Sequence, residues 1–295
     1  MQHPPLLKPG DTICVVAPAY LPEANSLKQG MEVLTEAGFE VELCMQPQEA
    51  YHRFSATDVQ RLQYLQYAFD HPQCKAIIAA RGGYGSTRII DKLNLDAFLK
   101  NPKWVIGYSD ITALLLHISN YGITAMHGPM VCDLQCKEEA AALLHTLTSG
   151  YVNIPFEGTC RQQAVFPIHG MLVGGNLTVM AHCMGHDASP PNQPLILMLE
   201  DTGEYLYNVD RMWVQLGRAG WLSNVKVVVL GHFTELKDTD PTFGVELYEI
   251  FQSLGVPVVS GFPSGHTHPN VPWIFGAPST IWIQEHQFML SQQIV

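Results

Sequence analysis

The sequence predicts an α/β fold built on a parallel sheet. Short apolar runs, such as residues 76–80 and 225–230, read as strands buried on both faces. Between such runs lie stretches with helical spacing, so strand and helix alternate as they do in βαβ units. The chain has 295 residues, of which 47% are hydrophobic and 15% charged, enough for a sizeable core and unlike a disordered chain.

Taken in order, residues 12–17 form a largely apolar strand ending in Ala17-Pro18-Ala19. Residues 25–37 read as a helix closed by Gly38 at the C′ position, and residues 39–43 as the next strand. Ser55 with Asp58 makes a capping-box-like start for a helix to about Asp70. The strand at 76–80 leads into Arg81-Gly-Gly-Tyr-Gly85 and a short helix with Ile89, Ile90 and Leu93 inside. Residues 104–106 are the fourth strand. Gly107 ends it, and helical spacing resumes from Asp110 through Leu114, Leu115 and Ile118. Sites in parallel sheets lie beyond the carboxyl ends of the strands. Ala17-Pro18, Arg81 to Gly85 and Ser109 all fall there.

A helix after Lys137 ends near Gly150, and residues 151–167 read as irregular, with prolines and no clear period. The expected division is an N-terminal α/β domain at 1–150, a linker at 151–168 and a C-terminal domain at 169–295. In the last, a short strand from His169, a Gly pair and a helix from about Leu177 come first. A strand at 195–199 then ends in Glu200-Asp201-Thr202-Gly203-Glu204, and a helix spans about 209–216. A strand at 225–230, a helix at 245–254 and a strand at 256–260 follow. Two late strands, 280–283 and 287–290, flank a Glu285-His286 turn.

The net charge of −11 argues against nucleic acid or an anionic membrane as a main partner. No apolar stretch approaches transmembrane length, and residues 1–10, with three prolines, lack the pattern of a secretory leader. The seven cysteines are scattered without a CxxC, which suggests a reducing cytoplasm.

Ser109 sits at a sharp turn from strand into helix. That geometry pushes a serine hydroxyl out of the sheet edge in α/β hydrolases, although Ile111 stands where their pattern has Gly. The next amide lies in a first helical turn, where N–H groups lack partners and negative charge is favoured. The alternative is a simple N-cap with Asp110 in the first turn. Arg81 to Gly85 can be a phosphate cradle, a source of an oxyanion donor from Gly83, or a tight turn needing positive φ. Glu200 and Glu204 close a buried strand, where a carboxylate could orient a histidine. His266 and His268 offer a general base, a metal pair with a carboxylate, or surface residues among 13 histidines. Together these residues supply a serine, an acid and a histidine in that chain order.

At this point the sequence resembles the LD-carboxypeptidase family of serine peptidases, which includes the microcin-immunity peptidases. The motifs are Lys8-Pro-Gly-Asp11 with Val15-Val-Ala-Pro18, Arg81-Gly-Gly-Tyr-Gly85, Gly107-Tyr-Ser-Asp110, His127-Gly-Pro129, Gly174-Gly-Asn-Leu177, Leu199-Glu-Asp201 with Glu204, and Gly261-Phe-Pro-Ser-Gly-His266. The resemblance implies a flavodoxin-like N-terminal domain, similar to class I amidotransferases, and a smaller C-terminal α/β domain. It implies Ser109 as nucleophile, Glu200 as acid, His266 as base and the amides of Gly83 and Asp110 as oxyanion hole, with no metal or cofactor. The expected enzyme is a cytoplasmic homodimer that removes D-Ala from murein tetrapeptides in peptidoglycan recycling. A peptidase cleaving an acyl-amino-nucleotide toxin is the alternative within the family. The short stretch between Gly185 and Pro194 favours the murein branch. A non-catalytic small-molecule-binding protein using Arg81 to Gly85 is the alternative outside it.

Overall fold

Apolar runs and capping residues set the first half of the chain. The computed structural model describes residues 1–185, 190–238 and 246–294. Strands β1 (Thr12–Val16) and β2 (Glu40–Leu43) are joined by α1 (Ala24–Glu36). Glu23 caps α1 by accepting from the Asn25 and Ser26 amides, Leu27, Gly30 and Leu34 face inward, and Gly38 turns the chain at φ +92°. Helix α2 (Asp58–Asp70) starts at Thr57, which forms a capping box with Gln60. Then come β3 (Cys74–Ala79), α3 (Asp96–Lys100), β4 (Trp104–Gly107), α4 (Thr112–Asn120), β5 (Ala125–His127) and α5 (Lys137–Ser149).

Contacts divide the chain into two units, Met1–Gly150 with Val271–Trp273, and Tyr151–Asn270 with Ile274–Val295. In the first, β1 pairs in parallel with β2 and β3, β3 with β4, and β4 with β5. The order 2-1-3-4-5 is the flavodoxin-like one, with its switch point between β1 and β3. The loops after β1 and β3 therefore border one crevice. Trp273 stacks on His127 at 4.8 Å between ring centroids.

The second unit carries β6 (Tyr151–Phe156), β7 (Thr159–Cys160), β8 (Ile168–Asn176), α6 (Leu177–His182), β9 (Leu195–Thr202) and α7 (Leu206–Arg218). It continues with β10 (Val225–Thr234), α8 (Leu247–Gln252) and β11 (Val258–Ser260). Strand β12 (Trp273–Phe275), which adds to the first sheet next to β5, precedes β13 (Pro278–Gln284) and β14 (Gln287–Gln293). Eight strands form one mixed sheet in the order β6-β14-β13-β8-β9-β10-β11-β7. Its centre, β8 to β11, is parallel, and its flanks are antiparallel. The β13–β14 hairpin turns on Glu285 and His286, at φ 48° and 71°, the paired positive φ of a type I′ turn.

Several expectations need correction. The cap of α2 is Thr57; the Ser55 hydroxyl instead donates to Ala17 O at 2.5 Å, tying the helix approach to the end of β1. Two 3-10 turns, Ser86–Arg88 and Ile90–Lys92, stand where the sequence predicts a short helix after Gly85. The stretch read as irregular contains β6 and β7, and β8 runs straight through the Gly174-Gly175 pair. Strand β9 does not stop at Leu199; Glu200 lies within it, opposite Asn176. The expected helix start at Val245 and positions 186–189 of the short stretch lie outside the described residues.

Candidate active site

In the first unit, β4 delivers Ser109 to a tight reversal. Tyr108 is extended at φ −143°, Ser109 is left-handed at φ +60°, and a 3-10 turn over Ser109–Ile111 leads into α4. A left-handed non-Gly residue costs on the order of 1–3 kcal/mol and persists only where its surroundings impose it. Gly107 is one such constraint, since a Cβ there would meet Ile111 Cγ2 at 2.8 Å. Ser109 is half-buried, Asp110 fully buried. The Asp110 amide lies in the first turn, where no intrahelical acceptor is within reach.

The Gly loop after β3 stands directly against this turn. A Cβ on Gly82 would lie 3.1 Å from Ser109 Cβ and 3.3 Å from its Oγ. Gly83, at φ +117°, has no room for a Cβ, because the Tyr20 ring fills that space. Its amide makes no hydrogen bond among the described residues. Asp110 Oδ2 accepts from the Ser86 amide at 2.8 Å, so the loop's far end is bonded to the residue after the serine. The structure thus sets Gly82 against Ser109 and bonds Ser86 to Asp110, with Gly83 next to Gly82 in the same loop. The loop is a tight turn and a row of amides at once.

In the second unit, Glu200 is fully buried and accepts from His266 Nδ1 at 2.7 Å through Oε2. That bond holds the imidazole with its proton on Nδ1 and leaves Nε2 as the basic nitrogen. The pair needs two glycines. A Cβ on Gly265, at φ +133°, would lie 3.1 Å from Glu200 Oε2, and one on Gly231 would lie 3.2 Å from Glu200 Cβ. Asn270 Oδ1 accepts from the Gly265 amide at 3.1 Å and shapes the loop that carries His266.

The neighbouring acids have other partners. Asp201 accepts from Asn176 Nδ2, the Thr178 amide, the Thr178 hydroxyl and the Thr202 amide, between 2.8 and 3.0 Å. It thereby caps α6. Burial, with the Glu200 charge beside it, pushes its carboxyl up to about 6 despite those donors. Glu204 is part-buried and accepts from Thr178 Oγ1 and Asn208 Nδ2. His268 is exposed. Gly231, Asn270 and the buried Arg61 also shape these surroundings. Each acts through packing or a bond to a residue distant in the chain, and no local pattern marks it.

Residues 13–128 match the LD-carboxypeptidase N-terminal domain and residues 169–281 the LD-carboxypeptidase C-terminal domain. The chain is 36% identical to a putative carboxypeptidase of Synechocystis, over 90% of this chain and 89% of the relative. The chain belongs to the LD-carboxypeptidase family. It is accordingly an enzyme, a peptidase and hydrolase. Among other members, the murein tetrapeptide carboxypeptidase of Pseudomonas aeruginosa is 28% identical, over 91% of this chain and 92% of its own length. The crystal structure of muramoyltetrapeptide carboxypeptidase from Oxalobacter formigenes superposes with a TM-score of 0.86 at 29% identity, covering 96% and 99% of the two chains. The similarity to these LD-carboxypeptidases spans both units of the chain, not one of them.

Proposed function

We propose that this LD-carboxypeptidase is a serine enzyme that hydrolyses the L-to-D peptide bond of murein tetrapeptides and releases D-Ala. The observation that carries the mechanism is the bond between buried Glu200 and His266, which gives one imidazole a fixed tautomer. In this reading Ser109 Oγ attacks the carbonyl carbon and His266 Nε2 takes its proton. The carbonyl π electrons move to oxygen, and the amides of Gly83 and Asp110 donate to that oxyanion. The Glu200 carboxylate stabilises the imidazolium. Collapse of the intermediate expels the D-Ala amine, which takes the proton from His266. Water then enters by the same base and frees Ser109. Each carbonyl step needs only these groups, so the activity requires no metal. The strained serine turn and the Gly loop beside it support the assignment.

The substrate class follows the activities for which the Pseudomonas and Oxalobacter relatives are named. We further place the enzyme in the cytoplasm, in peptidoglycan recycling, as a homodimer. All seven cysteines are free thiols, which suits a reducing compartment. No helix among the described residues is long and apolar enough to cross a membrane. The test is incubation with a murein tetrapeptide, with and without EDTA, and mass spectrometry for free D-Ala. Chelator-insensitive release is the expected result. No release, with cleavage of an acyl-amino-nucleotide instead, would move the enzyme to the toxin-inactivating branch. Light scattering at assay concentration tests the dimer.

A further inference from the structure

Arg61 is a charged residue where a helix would ordinarily place an apolar one. It lies on the inward face of α2 with Leu65, Ala68 and Phe69, and only 1% of its surface is exposed. Its Nη1 donates to Pro18 O, in the loop after β1, and to Gly85 O at 3.0 Å, in the loop after β3. Its Nη2 donates to Asp58 Oδ1 at 2.6 Å, and Asp58 is held in turn by Arg88. Gly85, at φ +134°, has no room for a side chain: a Cβ would come 2.8 Å from Arg61 Nη1. The guanidinium also sits over the Phe54 ring, 4.8 Å from its centroid.

This arrangement is poor as a stability device. Arg61 Nε is buried with no hydrogen-bond partner among the described residues. A buried charged side chain with an unsatisfied donor is commonly no better than an apolar residue of the same volume. What the guanidinium does supply is a rigid fork that joins two loops at the switch point of the sheet. The Gly loop is then anchored at its far end by two buried charged groups. Arg61 holds the Gly85 carbonyl and Asp110 holds the Ser86 amide. At its near end Gly82 touches Ser109. Gly83 lies between the anchors and the serine.

We propose that Arg61 is a positioning residue for the oxyanion hole, setting the Gly83 amide against Ser109 through Pro18 and Gly85. The proposal rests on the serine-hydrolase reading above. Losing a single oxyanion donor typically costs about 10²–10³ in kcat. Arg61→Met keeps the volume and removes the fork, so kcat should fall about 30- to 100-fold with KM changed less than about threefold, part of that donor's full effect. Arg61→Lys, with one point donor in place of the fork, should fall between Met and wild type. Asp58→Asn, at a part-exposed site, frees the fork without emptying the core and should lower kcat about fivefold, a small part of the same donor's effect.

Two further measurements separate this proposal from the substrate assignment. Ser109 labelling by a fluorophosphonate, which also builds charge on oxygen, should slow in parallel with kcat. Amide hydrogen exchange should accelerate in residues 82–86 of the Met variant and not in the rest of the first unit. If wild type fails on tetrapeptides but labels, the substrate assignment falls and the labelling rates still test Arg61. If wild type does not label either, the exchange pattern decides. Arg61 variants that fold, keep wild-type kcat or labelling, and keep protection over 82–86 would overturn the positioning role. If Arg61→Met does not fold, the same readings on Asp58→Asn decide.

Discussion

The serine turn of the first unit and the Glu200–His266 pair of the second are held by different means. At Ser109 the main chain does the holding: a left-handed residue that follows Gly107 by two and opens the 3-10 turn, with Gly82 pressed against it. At His266 the side chains do it: a buried carboxylate bonded to Nδ1 from within a central strand. A hydroxyl must project from a sharp turn, and only backbone geometry makes one. An imidazole must keep one tautomer, and only a hydrogen-bond partner chooses it. Main-chain devices leave glycines at fixed spacing in the sequence. Side-chain devices join residues 66 positions apart and leave almost no local trace.

The largest expected effect breaks the first half of this comparison. Ser109→Ala should cost on the order of 10⁶ in kcat with the fold intact, since removal of a triad serine disables the whole set. Near-normal turnover in a folded variant, checked by circular dichroism, would end the serine mechanism. The second half is broken by Glu200→Gln and His266→Ala, each expected to lower kcat at least about a thousandfold. Glu204→Gln and His268→Ala should cost far less. Single-turnover rates for the four variants decide; a greater loss from Glu204→Gln would reassign the acid.

A smaller effect sharpens the contrast. Gly265→Ala adds one methyl 3.1 Å from Glu200 Oε2 at a positive φ. It should displace the imidazole enough to cost about 10² in kcat. The pH dependence of kcat/KM would shift with it, and an unchanged profile would show that Gly265 only shapes the loop. The smallest effect concerns stability. Asp201 titrates near 6 in the folded protein, above its ordinary 3.8. The folded state therefore binds more protons than the unfolded state between those values, and this term loses stability as pH rises through that window. Asp201→Asn removes the term. Its stability relative to wild type, from urea melts, should rise between about pH 4 and pH 6 and level off above. A flat difference would show that the carboxyl ionises normally.

Much of the first sheet was legible because its strands are short apolar runs closed by Gly or Pro. The sequence also exposed Ser109 and the Gly loop, for the reason just given. It did not show β6. Val152, Ile154 and Phe156 alternate inward there, but Pro155 hid the pattern. Proline is tolerated because β6 is the edge of its sheet. The true length of β9 was hidden too, since three polar residues end it. They stay in the strand because Glu200 and Asp201 each find donors inside the protein. Thr57 and Ser55 are both plausible caps by residue type. Only the distant carbonyl of Ala17 tells them apart.

The chain does not finish its first unit when it leaves it at Gly150. It returns for Val271–Trp273, where Trp273 lies on the His127 ring and Pro272 fills the space over Gly128, whose Cβ would come 2.9 Å from it. The two halves are therefore stitched, not strung in tandem. A gene fragment ending at residue 150 would lack that patch and leave the β5 flank of its sheet bare. Recombination that swaps one half for a relative's must carry the returning tripeptide with it.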